Sequence, residues 1–234
     1  MLIDIHTHIL PGIDDGSKDI ETSLAMLKEE ESSGIKEVIL TPHTGFNTPQ
    51  WYEKDELNNF FLSFLEKAKD YNVKLYLGSE VLVTPSFTKG LKENRIKSLN
   101  DSKYLLIEFK FKEEEENIFN GAYNATCFGY IPIIAHPERY MNMSLDLAYK
   151  LKEIGSLLQI NTTSILGQFG HHVKRMAKTL IKKGLVDLVA SDSHSMGIRY
   201  PNLKSTLDLI KKKYHVDIKN ELPLLHEKYE YKEK

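Results

Sequence analysis

Seven short apolar runs, each followed by a longer stretch with helical spacing, restrict this chain to a parallel β/α architecture. The runs are Leu2–Ile5, Glu37–Thr41, Val73–Leu77, Tyr104–Ile107, Ile131–Ala135, Leu157–Ile160 and Leu185–Ala190. They are almost continuously apolar, so both faces of each strand are expected to be buried, with crossover helices outside. Helices are expected over about 19–33, 55–71, 145–154 and 173–183, with another opened by the acidic run Glu113–Glu116. One or two more finish the chain. A closed or nearly closed β/α barrel fits this pattern best, and a doubly wound open sheet is the alternative. The length of 234 residues suits a single domain spanning 1–234.

The residues that end these runs are of one chemical kind. His6 and His8 follow the first, His43 the second, Glu80 the third, Glu108 the fourth and His136 the fifth. Asn161 follows the sixth, and Asp192 and His194 follow the seventh. In a β/α barrel the C-terminal strand ends form one rim, where such folds place their active sites. Asp15, in the loop after the first strand, can join them. Imidazoles and carboxylates without thiolate suit manganese, iron or zinc. Nine donors exceed the needs of one ion, so two or three divalent metal ions are expected, about 3.5–4 Å apart, with Glu80 as the bridge. Such a cluster makes hydroxide available near neutral pH. Arg139 lies three residues beyond His136 and Arg199 five beyond His194. Guanidinium forks match phosphate oxygens, which makes a phosphate ester the leading substrate.

Composition removes several other classes. A formal net charge of -2 gives no basic field for nucleic acid, so a nuclease is disfavoured. No apolar run is long enough to span a membrane, and no signal-peptide pattern opens the chain. Cys127 is the only cysteine, which suits a reducing cytoplasm. It is expected to be buried in a helix. A cysteine-dependent phosphatase would need an arginine six residues on, where Ile133 stands.

The segments Asp4-Ile-His-Thr-His8, Asp14-Asp15-Gly16, Pro42-His43, Gly78-Ser-Glu80, Leu106-Ile-Glu108-Phe109, Ala135-His-Pro-Glu-Arg139 and Ala190-Ser-Asp-Ser-His194 resemble the polymerase-and-histidinol-phosphatase (PHP) superfamily. Within it the chain resembles the metal-dependent protein-tyrosine phosphatases associated with bacterial capsule and exopolysaccharide synthesis. That resemblance implies a distorted (β/α)7 TIM-like barrel of the PHP type and a trinuclear, usually manganese, site. It further implies dephosphorylation of the tyrosine-rich tail of a cognate bacterial tyrosine kinase. Carried over by residue, one ion is held by His6, His8, Glu80 and Asp192, a second by Glu80, Glu108 and His136, and a third by Asp15, His43 and His194. Arg139 and Arg199 bind the phosphoryl group. The loop Thr44–Pro49 departs from the family pattern by lacking a basic residue.

Blander roles suit other residues. His171, His172, His215 and His226 lie off the rim pattern and are read as structural or surface groups. Asp14, before Gly16, is read as a turn residue. Asn161 either caps the next turn or faces the site. Two competing functions remain: a small-molecule phosphatase, such as a histidinol phosphatase, and a non-catalytic metal-binding module. A dead relative should have lost some of the nine donors, and this chain keeps them all.

Overall fold

Residues 2–229 are described by the computed structural model; Met1 and residues 230–234 lie outside them. The strands are β1 (Ile3–Thr7), β2 (Glu37–Leu40), β3 (His43–Thr44), β4 (Lys74–Leu77), β5 (Glu80–Leu82), β6 (Tyr104–Glu108), β7 (Ile131–Ala135), β8 (Leu157–Asn161) and β9 (Leu188–Ala190). The helices are α1 (Ile20–Ser32), α2 (Lys54–Ala68), α3 (Phe87–Lys92), α4 (Glu115–Cys127), α5 (Leu145–Glu153), α6 (Thr162–Leu166), α7 (His171–Lys182) and α8 (Leu203–Tyr214).

All strand pairs are parallel, in the orders β1-β2-β4 and β3-β5-β6-β7-β8-β9. These two sheets are one ring whose second and third staves are each broken. The second breaks at Thr41-Pro42 and the third at Gly78-Ser79. Backbone bonds carry the ladder across both breaks: Thr41 N–H donates to Thr7 O (2.8 Å), Gly78 N–H to Leu40 O (2.8 Å) and Glu80 N–H to Pro42 O (3.1 Å). Pro42 has no N–H to give a regular ladder. A side chain at Gly78 would strike Leu99, with a Cβ only 2.5 Å from its Cδ2. The ring closes where β9 meets β1. Thr7 bridges Ser193, His8 N–H donates to Ser193 O (2.8 Å), and Asp192 N–H donates to His6 O (2.9 Å). The seven expected staves therefore form the distorted barrel.

Strand alternation divides the apolar residues into two cores. Val38, Leu40, Leu105, Ile107, Ile134, Leu158, Ile160 and Val189 pack with the helices. Ile3, Ile5, Ile39, Tyr104, Leu106, Ile133, Ala135, Leu188 and Ala190 fill the ring, so it has a packed interior and no bore. β1 carries one extra residue against β2, between Asp4 and Thr7. This bulge lets consecutive residues serve the interior: Ile5 joins the apolar core while the His6 ring reaches Gln159 on β8.

Two expectations need correction. The last strand starts at Leu188 rather than Leu185. Cys127 is exposed, because it ends α4 on the solvent side. One helix, α8, closes the series among the described residues, within the one or two expected, and the chain then crosses the N-terminal end of the barrel. There Leu222 and Leu225 enter the interior core. Asn220 sits in the seam, its carbonyl accepting from Val189 N–H (2.6 Å) and its amide donating to Ile3 O (2.8 Å).

Candidate metal centre and phosphate site

The mouth of the barrel, at the C-terminal strand ends, holds all nine expected donors in one connected cluster. His6 and His8 project from the end of β1 with their Nε2 atoms 3.2 Å apart. Each ring is oriented from behind. His6 Nδ1–H donates to Gln159 Oε1 (2.9 Å), and His8 Nδ1–H donates to Asp14 Oδ2 (2.7 Å). With Nδ1 protonated, both Nε2 lone pairs face the cluster. Glu80 Oε2 lies 3.0 Å from His6 Nε2 and 3.3 Å from His8 Nε2. Asp192 Oδ1 lies 3.4 and 3.3 Å from the same two atoms.

These four atoms fit a metal ion. Donors about 2.1 Å from a tetrahedral ion stand about 3.4 Å from one another, close to the separations seen. Glu80 Oε2 and Asp192 Oδ1 are buried with no hydrogen-bond partner, an arrangement that costs free energy unless a cation completes it. A second group gathers His43, Glu80 and Glu108, and a third gathers His8, Asp15, His43 and His194. His43 Nδ1 is 2.9 Å from Glu108 Oε1 and 3.1 Å from Glu80 Oε2; its Nε2 is 3.4 Å from Asp15 Oδ1. His194 Nε2 is 3.3 Å from Asp15 Oδ1. His136 Nε2 approaches Glu80 Oε1 at 2.7 Å and Glu108 Oε2 at 3.9 Å. Glu80 thus touches four of the five mouth imidazoles, as a bridge must.

Local backbone places these groups at some expense. His136 (φ 35°) and Asp192 (φ 50°) hold left-handed conformations that non-glycine residues adopt at a cost of about 1–3 kcal/mol each. At His136 the turn is fixed by Pro137, which opens the short 3-10 turn Pro137–Arg139. The loop carrying Asp14 and Asp15 folds tightly on His8, with Ser17 N–H donating to His8 O (2.9 Å). A Cβ at Gly16 would lie 2.4 Å from His8 O.

Charge follows the packing. Burial opposes ionisation of Glu80 and Asp192, yet the facing imidazoles, with Arg199 for Asp192, hold both carboxyls well below the usual range. Burial likewise opposes a charge on His43, but Glu80 and the neighbouring carboxylates push it up to about 10. His194 goes the other way, to about 4, because burial and the nearby His8 disfavour its cation.

Asp192 divides its carboxylate between two tasks. Oδ1 faces His6 and His8. Oδ2 accepts from Arg199 Nη2 (2.5 Å), Arg139 Nη1 (3.4 Å) and Asn161 Nδ2 (2.5 Å). The Arg139 guanidinium also lies 4.6 Å over the Phe169 ring. Both arginine side chains are about a quarter exposed beside Asp192.

Asn161, left open between two roles, points into the site. Asp14 is more than a turn residue, since it orients His8 and accepts from His43 N–H (2.9 Å). Gln159 and Glu138 were not anticipated. Glu138 accepts from Asn161 N–H (2.9 Å), and Gln159 donates to Asn161 Oδ1 (2.8 Å). A signal existed for Gln159: it sits two residues before Asn161 in an otherwise apolar strand and so shares its face.

Comparison with known proteins agrees with this geometry. CapC from Staphylococcus aureus is 34% identical over 230 residues, covering 94% of this chain and 88% of that one. The tyrosine-protein phosphatase YwqE of Bacillus subtilis is 33% identical, covering 91% and 85%. A solved structure from work on YwqE and Streptococcus pneumoniae CpsB, described as metal-dependent tyrosine phosphatases, superposes with a TM-score of 0.83 at 31% identity, covering 93% and 89%. Histidinol phosphate phosphatase from Lactococcus lactis shares the fold, with a TM-score of 0.59 at 14% identity, covering 91% and 93%. The family model described as "Capsular polysaccharide synthesis, CpsB/CapC" matches residues 2–227, and the chain belongs to that family.

Proposed function

We propose that this chain is a metal-dependent protein-tyrosine phosphatase, acting as one domain in the cytoplasm on a tyrosine-phosphorylated protein. The physiological substrate in this reading is the cognate tyrosine kinase of capsule or exopolysaccharide synthesis. The names of the relatives and the family's description support that assignment. The observation that carries the chemistry is the divided carboxylate of Asp192, which joins a metal-ligand cluster to two phosphate-type guanidinium groups.

Two or three divalent ions, manganese before iron or zinc, would be held by His6, His8, Asp15, His43, Glu80, Glu108, His136, Asp192 and His194. When bound, such ions lower the pKa of water and offset phosphoryl charge. The protein's own groups do the positioning. Arg139 and Arg199 each carry five N–H donors, and Asp192 engages only one or two of them. The rest can take the phosphoryl oxygens, and Phe169 steadies Arg139 for that task. Asn161 and the two arginines share Asp192 Oδ2, which fixes the distance between the phosphate-binding groups and the ligand cluster. Gln159 and Asp14 hold the Nδ1 atoms of His6 and His8 and so turn their Nε2 atoms toward the cluster. A tyrosinate leaving group, with a pKa of about 10, departs with less help than an alkoxide would need.

The test is turnover of a phosphotyrosine peptide by manganese-loaded protein, with L-histidinol phosphate as the competing substrate. Turnover should disappear on exhaustive chelation and return with manganese. Activity that survives complete metal removal, or a higher kcat/KM on L-histidinol phosphate, would overturn the reading.

A further inference from the structure

Ten large apolar side chains are exposed among the described residues, and their distribution is uneven. Phe60, Leu62, Tyr123 and Tyr149 are scattered over α2, α4 and α5. The other six lie beyond the C-terminal ends of four adjacent strands. Phe111 follows β6, Met141 follows β7, Leu166 ends the helix after β8, and Met196, Ile198 and Tyr200 follow β9. The order of those strands in the ring sets the six in an arc along one side of the mouth. Ile198 is 74% exposed, an unusual position for a branched aliphatic side chain at an enzyme mouth.

The arc is continuous with the phosphate site. Ile198 and Tyr200 flank Arg199, whose carbonyl accepts from His194 N–H (2.9 Å) and Ser195 N–H (3.2 Å). Those bonds fold the loop back and leave Met196 and Ile198 outside. Met141 lies two residues beyond Arg139, and its N–H donates to Phe111 O (3.0 Å). Two arginines therefore stand inside a rim of apolar groups. A small phosphate ester bound by those arginines would leave the rim in water. A polypeptide held by its phosphotyrosine must lay its neighbouring residues across it.

We infer that this arc docks the polypeptide on either side of the phosphotyrosine and selects segments with apolar residues there. The inference rests on the phosphatase reading and names the sequence class that the same site takes. Met196 is unbranched and flexible, which suits a surface that must accept more than one apolar side chain.

The experiment compares three substrates on the manganese-loaded full chain: a phosphotyrosine peptide with Leu, Ile or Val beside the phosphotyrosine, a matched peptide with Ser and Gly there, and a small aryl phosphate. The parent should show a KM about tenfold lower for the apolar peptide, with kcat unchanged. The combined variant Met141→Ser, Met196→Ser, Ile198→Ser should erase that difference while keeping the parent's kcat/KM on the aryl phosphate within twofold. Equal KM values for the two peptides on the parent would overturn the inference. So would a variant whose aryl phosphate turnover falls in step, since the arc would then act through the arginines. A variant that changes only sedimentation would show that a second copy of the chain covers the arc, again against docking. If the parent hydrolyses none of the three substrates, the phosphatase reading itself has failed and the docking role goes with it.

Discussion

The two ends of the barrel interior are built to opposite rules. At the mouth, His6, His8, Glu80 and Asp192 are wholly buried, and two of their carboxylate oxygens have no partner. At the other end Leu222, Leu225 and Tyr104 close the ring with ordinary apolar packing. Burying charged side chains with oxygen atoms left unsatisfied costs free energy, whereas close packing of leucine recovers it. The fold therefore concentrates its cohesion at the end remote from the chemistry, and substitutions at the two ends should fail in different ways.

The largest effect is expected at the mouth. Asp192→Asn keeps the shape but removes the charge that both arginines and both β1 imidazoles face. Its kcat/KM on phosphotyrosine peptide should fall about 1000-fold, equivalent to about 4 kcal/mol, with the parent's far-UV circular dichroism. A variant within tenfold of the parent would break the contrast. Next comes the opposite end. Leu225→Ala should cost about 2–4 kcal/mol in urea unfolding while kcat at saturating manganese stays within twofold. If turnover fell with stability, the two ends would not be separable.

A smaller effect tests how the mouth is braced. Burial opposes charge on Asp14, but the His8 contact brings its pKa down to about 2. The depressed value means its contribution is present above the unfolded pKa and is lost as pH falls through about 2. At neutral pH, Asp14→Asn leaves His8 less firmly oriented. Manganese affinity by calorimetry should weaken 10- to 100-fold, about 1.4–2.7 kcal/mol, with little change in urea midpoint.

The smallest effect lies between the two ends, where β1 meets α1. Burial, with Asp4 nearby, raises Glu30 well above the ordinary carboxyl range, and burial raises Asp4 to about 6. Here the folded state binds protons more tightly than the unfolded one, so stability falls as pH rises above the unfolded values. For one proton taken up on folding, the parent should lose about 1.4 kcal/mol per pH unit above the unfolded carboxyl value for as long as Glu30 keeps its proton. Glu30→Gln should flatten that slope, and a slope unchanged in the variant would place the proton elsewhere.

Much of this was legible in the chain because period and position coincide. Apolar runs announce the staves, and the donors that follow them announce the mouth. The broken staves were harder, because Thr41-Pro42 and Gly78-Ser79 read as strand ends, and only tertiary contacts such as Gly78 on Leu99 show the ladder resuming. The bracing residues were hidden for a related reason. Asp14 and Gln159 act on other side chains, from loop and strand positions where a local reading is already sufficient. The residues 215–229 lack a strong period, and their role comes from filling a hole whose shape is set by other strands.

The seam also sets a schedule. Asp4, near the start, accepts from Ser191 N–H across 187 positions, and Asn220 reaches Ile3 across 217. During synthesis at about 5–20 residues per second, the first strand must wait some tens of seconds for its neighbour to emerge. Until then its edge, with the isoleucines Ile3 and Ile5, has no partner on that side. Pairings of such high contact order form slowly even in a complete chain. The ring therefore cannot close, nor the mouth assemble, before the residues that pair with the first strand have been synthesised.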